Sequence, residues 1–198
     1  PGRDAARKEA SKLNVPRIGV RFRLPASMNQ VEYFGRGPAE NYLDRNAGSM
    51  IGLYKSTAEE LYFPYVRPQE NGHHTDTRWV SLSTGKKGLL IQADNTIGFN
   101  ALRNSIEDFD DEEATGLSRQ WSNFTPEQVA NHDEAAAKNV LRRQHHINDI
   151  TPCDFVEVCV DLKQQGVAGY DSWGSRPEPA YTLPANREYN WGFTLIPL

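Results

Sequence analysis

A chain of 198 residues with a formal charge of −4 and a pI near 5.8 offers no basic footprint for nucleic acid or an anionic membrane. It has no apolar run long enough to cross a bilayer. A chain of this size buries roughly 70% of its unfolded surface, so it requires neither metal nor disulfide to stay folded.

Residues 1–14 are charged and alanine-rich, lack the apolar centre of a signal peptide, and read as a linker from a larger protein. The domain proper is then residues 15–198. Residues 17–24 alternate apolar and polar with period two, which predicts a strand with one buried face and one arginine-bearing face. A second strand at 29–35 follows a Pro-Ala-Ser turn, and the two are expected to form a hairpin or a meander.

The segment Tyr33-Phe-Gly-Arg-Gly-Pro-Ala-Glu-Asn-Tyr-Leu-Asp-Arg45 comes next. Gly35 and Gly37 permit a tight turn, Pro38 can open a short helix, and Glu40, Asp44 and Arg45 can pair with one another. A loop held in shape by its own salt bridges and a loop that touches a ligand are both open readings. Residues 62–79 bring several aromatics together with Glu70, Asn71, His73 and Arg78, residue types that stack on sugar rings and read hydroxyls. Asn71-Gly72 also spells a turn, so a structural role has equal standing.

Further strands are predicted at 78–83, 88–92 and 99–102, with a turn over 84–88 between the first two. Residues 104–148 break the pattern. Six of the seven residues from Glu107 to Glu113 are acidic, and Thr125-Pro126 has the form of a helix start, followed by strong helix formers at 133–138. This stretch reads as an acidic, helical insertion on the surface. The acidic run lacks the central glycine and spaced terminal glutamate of a calcium loop, so it reads as solvated.

The histidine doublets 73–74 and 145–146 put adjacent rings on opposite sides of a strand, which does not build a metal site. No metal or cofactor is assigned. Cys153 and Cys159 fall on a predicted strand at 155–162 and its approach, about 20 Å apart, too far for a disulfide. Free thiols fit either cytoplasm or periplasm, so the compartment stays open.

Near the C-terminus, Gly169-Tyr-Asp-Ser-Trp-Gly174 precedes a last strand at 189–196. A tryptophan between glycines on a loop tip has little core to fill. The ring of Trp173 is free to lie on the apolar face of a sugar, while Asp171 and Ser172 orient the loop or meet hydroxyls. The alternative is a ring packed beneath its own loop. Many strands punctuated by glycine and proline predict an all-β fold, a large antiparallel sandwich. Glycoside hydrolysis needs two facing carboxylates, and no strand–helix alternation supplies the barrel that often carries them. No catalytic residue is therefore assigned within this chain.

Four separated segments carry a resemblance: Pro16-Arg-Ile-Gly19; Gly35-Arg-Gly-Pro-Ala-Glu-Asn-Tyr-Leu-Asp-Arg45; Pro64-Tyr-Val-Arg-Pro-Gln-Glu-Asn-Gly72 with Thr77-Arg78; and Asp171-Ser-Trp173. Together they resemble the C-terminal domain of bacterial β-galactosidases of glycoside hydrolase family two, with Leu43 where that family often has proline. The resemblance implies a supersandwich similar to galactose mutarotase that packs on a catalytic barrel domain of the same protein. It also implies a retaining hydrolase of terminal β-D-galactosides, a homo-oligomeric parent, and catalytic glutamates that lie in the barrel. Trp173 matches the tryptophan that helps form the sugar subsite, with β-galactoside or galactose as ligand. Two rivals are kept. One is a free-standing aldose 1-epimerase using Glu70 with His73 or His74 as acid and base. The other is a non-catalytic carbohydrate-binding or structural module.

Overall fold

The computed structural model describes residues 13–66, 69–109, 147–171 and 173–198. Their strands are β1 (Arg17–Pro25), β2 (Gln30–Gly37), β3 (Met50–Thr57), β4 (His74–Ser83), β5 (Gly88–Leu102), β6 (Phe155–Gln164) and β7 (Phe193–Pro197). They form one seven-stranded antiparallel sheet in the order β1-β6-β5-β4-β2-β3, with β7 alongside the first half of β5. The described chain is thus all-β apart from short 3-10 turns, as its alternation predicts.

The period of two in β1 and β6 sorts the sheet into two chemistries. Val20, Phe22 and Leu24 register with Val160, Val158 and Val156, and the Phe99 and Ala101 positions of β5 complete that row on the other side of β6. The three valines of β6, Phe99 and Ala101 build the buried core with Val31, Tyr33, Val80, Leu82 and Ile91; Phe22 and Leu24 pack against it half-buried, and Val20 is exposed. Each fully buried side chain of this kind contributes about 1.5–3 kcal/mol relative to exposure. The alternate positions are charged. Arg17 meets Asp161 at 2.8 Å, and Glu157 receives Arg23 at 3.1 Å and Arg21 at 3.5 Å. The arginine face expected on β1 therefore matches an acidic face on β6.

That ladder explains the first correction. β1 and β2 form neither a hairpin nor a meander with each other; β1 pairs with β6, and β2 lies between β3 and β4. The expected β4–β5 turn is present, closed by Thr84 N–H on the Lys87 carbonyl at 2.9 Å. The segments predicted at 88–92 and 99–102 are one fifteen-residue strand. It runs unbroken because β4 pairs along it from Gly88 to Phe99, while β7 pairs with its first half and β6 with its second. β3 has no counterpart in the sequence reading. It is an edge strand whose Met50, Ile51 and Leu53 are all exposed, so it shows no clean alternation.

Pro38 opens no helix. The Gly37–Pro38 bond is cis, and the Asn41 amide bonds the carbonyls of Arg36 and Ala39 at 3.1 Å each, holding an irregular loop in place of a helical turn. Of the stretch 104–148 expected as an acidic, helical insertion, the structure describes 104–109, with the turn Ile106–Phe109, and the first residues of the turn Ile147–Asp149. Residues 110–146, with the expected helix start at Thr125, lie outside the described residues, as do residues 1–12 of the expected linker.

Candidate sugar-binding loop and its polar support

Trp173 stands at the tip of a loop with 94% of its surface exposed. The alternative of a ring packed beneath its own loop does not hold. Gly169 and Gly174 both have φ of +82°, the left-handed region that favours glycine, and nothing approaches the place of either Cβ. These glycines answer a backbone demand. Between them, Asp171 Oδ1 accepts the amides of Trp173 at 2.8 Å and Ser175 at 3.3 Å, and Ser175 Oγ accepts the Tyr170 amide at 3.1 Å. Asp171 therefore orients the loop, the first of the two roles expected of it. Ser172 lies outside the described residues.

The base of this loop is held by a residue far away in sequence. Asp44 Oδ1 accepts the Val167 amide at 3.0 Å; its Oδ2 accepts the Ala168 amide at 2.7 Å and the Tyr170 hydroxyl at 3.2 Å. The expected pairing of Asp44 with its neighbours is thus corrected. Arg45 pairs with Glu40 at 2.7 Å, while Asp44 turns to the other end of the chain.

Glu40 holds the second polar segment. Its Oε2 accepts the Gly72 amide at 2.6 Å, and its Oε1 accepts the Tyr65 hydroxyl. Residues 40–45 therefore touch both the 65–72 stretch and the 166–170 stretch, and bind together segments that the sequence only sets side by side.

Glu70, Asn71 and His73 do come together, around Asn100. The Asn100 side chain donates to the Asn71 carbonyl at 2.7 Å and to Glu70 Oε1 at 3.3 Å, and its oxygen faces His73 Nδ1 at 2.8 Å. Arg17 donates to the same Asn100 oxygen and to Asp161 at 2.8 Å, and lies 3.6 Å from Glu70. Burial raises the Glu70 carboxyl above the usual carboxylate range and lifts Asp161 to about 6, in each case outweighing Arg17. Asn71 is occupied locally, accepting the Phe63 amide at 3.2 Å and donating to Gln69 at 2.9 Å. Arg78 stands apart, donating to the Asp76 carbonyl and lying 5.7 Å over the Phe34 ring.

His73 lies just before β4 and His74 is its first residue, and the two rings meet different neighbours. His73 stacks on Tyr42 at 5.6 Å; His74 stacks on Phe99 at 5.0 Å and faces the carbonyls of Gly72 and Pro38. Both rings are sealed from solvent. In the acid–base pair expected of Glu70 with His73 or His74, the histidine ring is therefore buried in either case. Glu70 alone keeps partial access, with 31% of its side chain exposed.

Sequence reasoning missed Arg17, Asn100 and Asp161 as members of the polar cluster and Asp44 as support for the tryptophan loop. Asp44 lay inside a segment already singled out, but its partners lie more than a hundred residues on. Such long-range partners are invisible to local spacing.

A family model described as β-galactosidase small chain matches residues 4–195. The chain is 35% identical over 185 residues to a β-galactosidase of Priestia megaterium (strain DSM 319 / IMG 1521), covering 93% of this chain and 15% of that protein. It is 40% identical over 111 residues to a β-galactosidase of Arthrobacter sp. (strain B7), covering 53% of this chain and 11% of that protein. A β-galactosidase of Vibrio cholerae serotype O1 (strain ATCC 39541 / Classical Ogawa 395 / O395) is 29% identical over 181 residues, covering 91% and 14% respectively. This chain therefore spans about 15% of the length of the Priestia relative. With its match running almost end to end, the chain belongs to the β-galactosidase small-chain family.

Proposed function

We propose that this chain is the small-chain domain of a retaining β-galactosidase that hydrolyses terminal β-D-galactosides. Its part is to support the active site and supply a sugar-stacking tryptophan. The observation that carries this reading is the joining of the family match to the geometry of Trp173. A large flat ring is held out from a loop closed at its tip by Asp171 and at its base by Asp44.

The catalytic carboxylates belong to a barrel domain of the parent, and this chain contributes none. Its sheet is one layer of the mutarotase-like supersandwich that the family resemblance implies, packed on that barrel in a homo-oligomeric enzyme. The ligand is a β-galactoside or galactose, bound by the Trp173 ring against the apolar face of the sugar. Such a contact is worth about 1 kcal/mol beyond burial.

The experiment is a pair of assays. The full-length parent is expected to hydrolyse a nitrophenyl β-galactoside, and this chain alone is expected to leave the mutarotation of freshly dissolved galactose at its spontaneous rate. A parent inactive on β-galactosides, or a chain that accelerates mutarotation, overturns the reading.

A further inference from the structure

We propose that Asp44 is the positioning residue of the Trp173 loop, setting where the ring stands without touching substrate itself. The inference rests on the reading that Trp173 meets the sugar.

Trp173 makes no ring contact among the described residues and is almost wholly exposed, so its place is fixed by the backbone beneath it. That backbone is fixed in two stages. Asp171 closes the tip internally, through the amides of Trp173 and Ser175. A loop closed only on itself could still pivot as a unit on its stem. Asp44 removes that freedom. Its two oxygens take the successive amides of Val167 and Ala168 at 3.0 and 2.7 Å, and Oδ2 also takes the Tyr170 hydroxyl at 3.2 Å.

Three further features belong to the same arrangement. Ala168 is one of two described non-glycine residues with positive φ, at 55°. That conformation is disfavoured for a side chain bearing a Cβ and is stabilised here by the charge-assisted bond to its own amide. Gly166 is required because a Cβ there would stand 2.5 Å from the Asp44 carboxylate. Asp44 in turn sits in a turn locked by mutual backbone bonds between Tyr42 and Arg45 at 3.2 and 2.8 Å, with Arg45 tied to Glu40 and Glu40 to Gly72. The chain of contacts runs from the buried polar cluster, through residues 40–45, to the stem of the loop. With three donors on its two oxygens, Asp44 acts on the ring's position through the stem.

The test uses the full-length parent with Asp44→Ala, Asp44→Asn, Trp173→Ala and the Asp44→Ala/Trp173→Ala double variant. KM and kcat are read on a nitrophenyl β-galactoside, and amide hydrogen exchange on the 166–170 stem. Asp44→Ala is expected to raise KM roughly five-fold, as far as Trp173→Ala does, with kcat moving less. The double variant is expected to be no worse than either single one, because both remove the same contact. Asp44→Asn, which keeps one acceptor, is expected to fall between, and exchange at Val167 and Ala168 to quicken by tenfold or more.

Additive effects in the double variant overturn the proposal, as does an unchanged KM for Asp44→Ala where Trp173→Ala raises it. Should Trp173→Ala leave KM unaltered, the sugar-stacking reading is what fails. The exchange rates at Val167 and Ala168 then decide separately whether Asp44 holds the stem, unaltered rates overturning it. Asp44→Asn guards against an alanine variant that does not fold.

Discussion

The Nδ1 of His73 lies 2.8 Å from the Oδ1 of Asn100 in a region closed to water, and the Arg17 guanidinium donates to that same oxygen. Burial, and then the nearby Arg17 charge, push His73 down to about 3. The ring is therefore neutral in the fold and must take up a proton on unfolding in acid. Its contribution to stability is complete above about 6.5 and is lost as pH falls toward 3. Asp161, raised to about 6 by burial, acts with the opposite sign: its contribution is present below the unfolded value of 3.8 and is lost as pH rises through 6. The two slopes oppose each other between pH 6 and 4.5.

Urea unfolding at those two pH values separates them. His73→Gln is expected to gain about 2 kcal/mol on acidification relative to the unsubstituted chain over that range. Asp161→Asn is expected to lose a similar amount relative to it, about 2 kcal/mol. Parallel pH profiles in all three proteins would remove this assignment of charge states.

Two glycines carry the close approach of the strands around this cluster. A Cβ at Gly19 would stand 2.6 Å from the Val160 carbonyl oxygen and meet the Asp161 carboxylate, and one at Gly98 would stand 2.6 Å from the His73 ring. Gly19→Ala and Gly98→Ala are each expected to cost about 1–3 kcal/mol through overpacking. Gly48→Ala, with nothing within 4 Å, is expected to stay within about 0.5 kcal/mol of the unsubstituted chain. Thermal unfolding of the three variants checks this; equal melting temperatures would contradict it.

The thiols are expected to differ in reactivity. Burial pushes Cys159 up to about 12 and leaves it 3% exposed on β6. Cys153 is also raised by burial but lies at a half-buried position before the strand. At pH 8 a disulfide reagent is expected to modify Cys153 alone, slowly, with Cys159 released only by denaturant. Rapid modification of both in the folded chain would contradict the packing around β6.

What was legible in the sequence follows the range of the interaction. The alternation of β1, the strand at 155–162, the Thr84–Gly88 turn and the tryptophan between glycines are local properties, and each is found in the structure. Strand partnership is not local. Arg17, Arg21 and Arg23 announced a charged face, but only the tertiary fold brings Asp161 and Glu157 beside them. Asp44 shows the same limit most sharply. Beside Arg45 in the chain, it reads as half of a local salt bridge, whereas its carboxylate closes on amides at 167 and 168. β3 escaped because an edge strand with apolar residues on both sides carries no period of two.

The central proposal is that Trp173 serves as a sugar platform, and substrate affinity of the full-length parent tests it most directly. KM for a nitrophenyl β-galactoside is expected to rise roughly five-fold in Trp173→Ala, for the loss of about 1 kcal/mol, and to be largely restored in Trp173→Phe, which keeps an aromatic face. A KM that is the same for tryptophan, phenylalanine and alanine at this position would contradict the account.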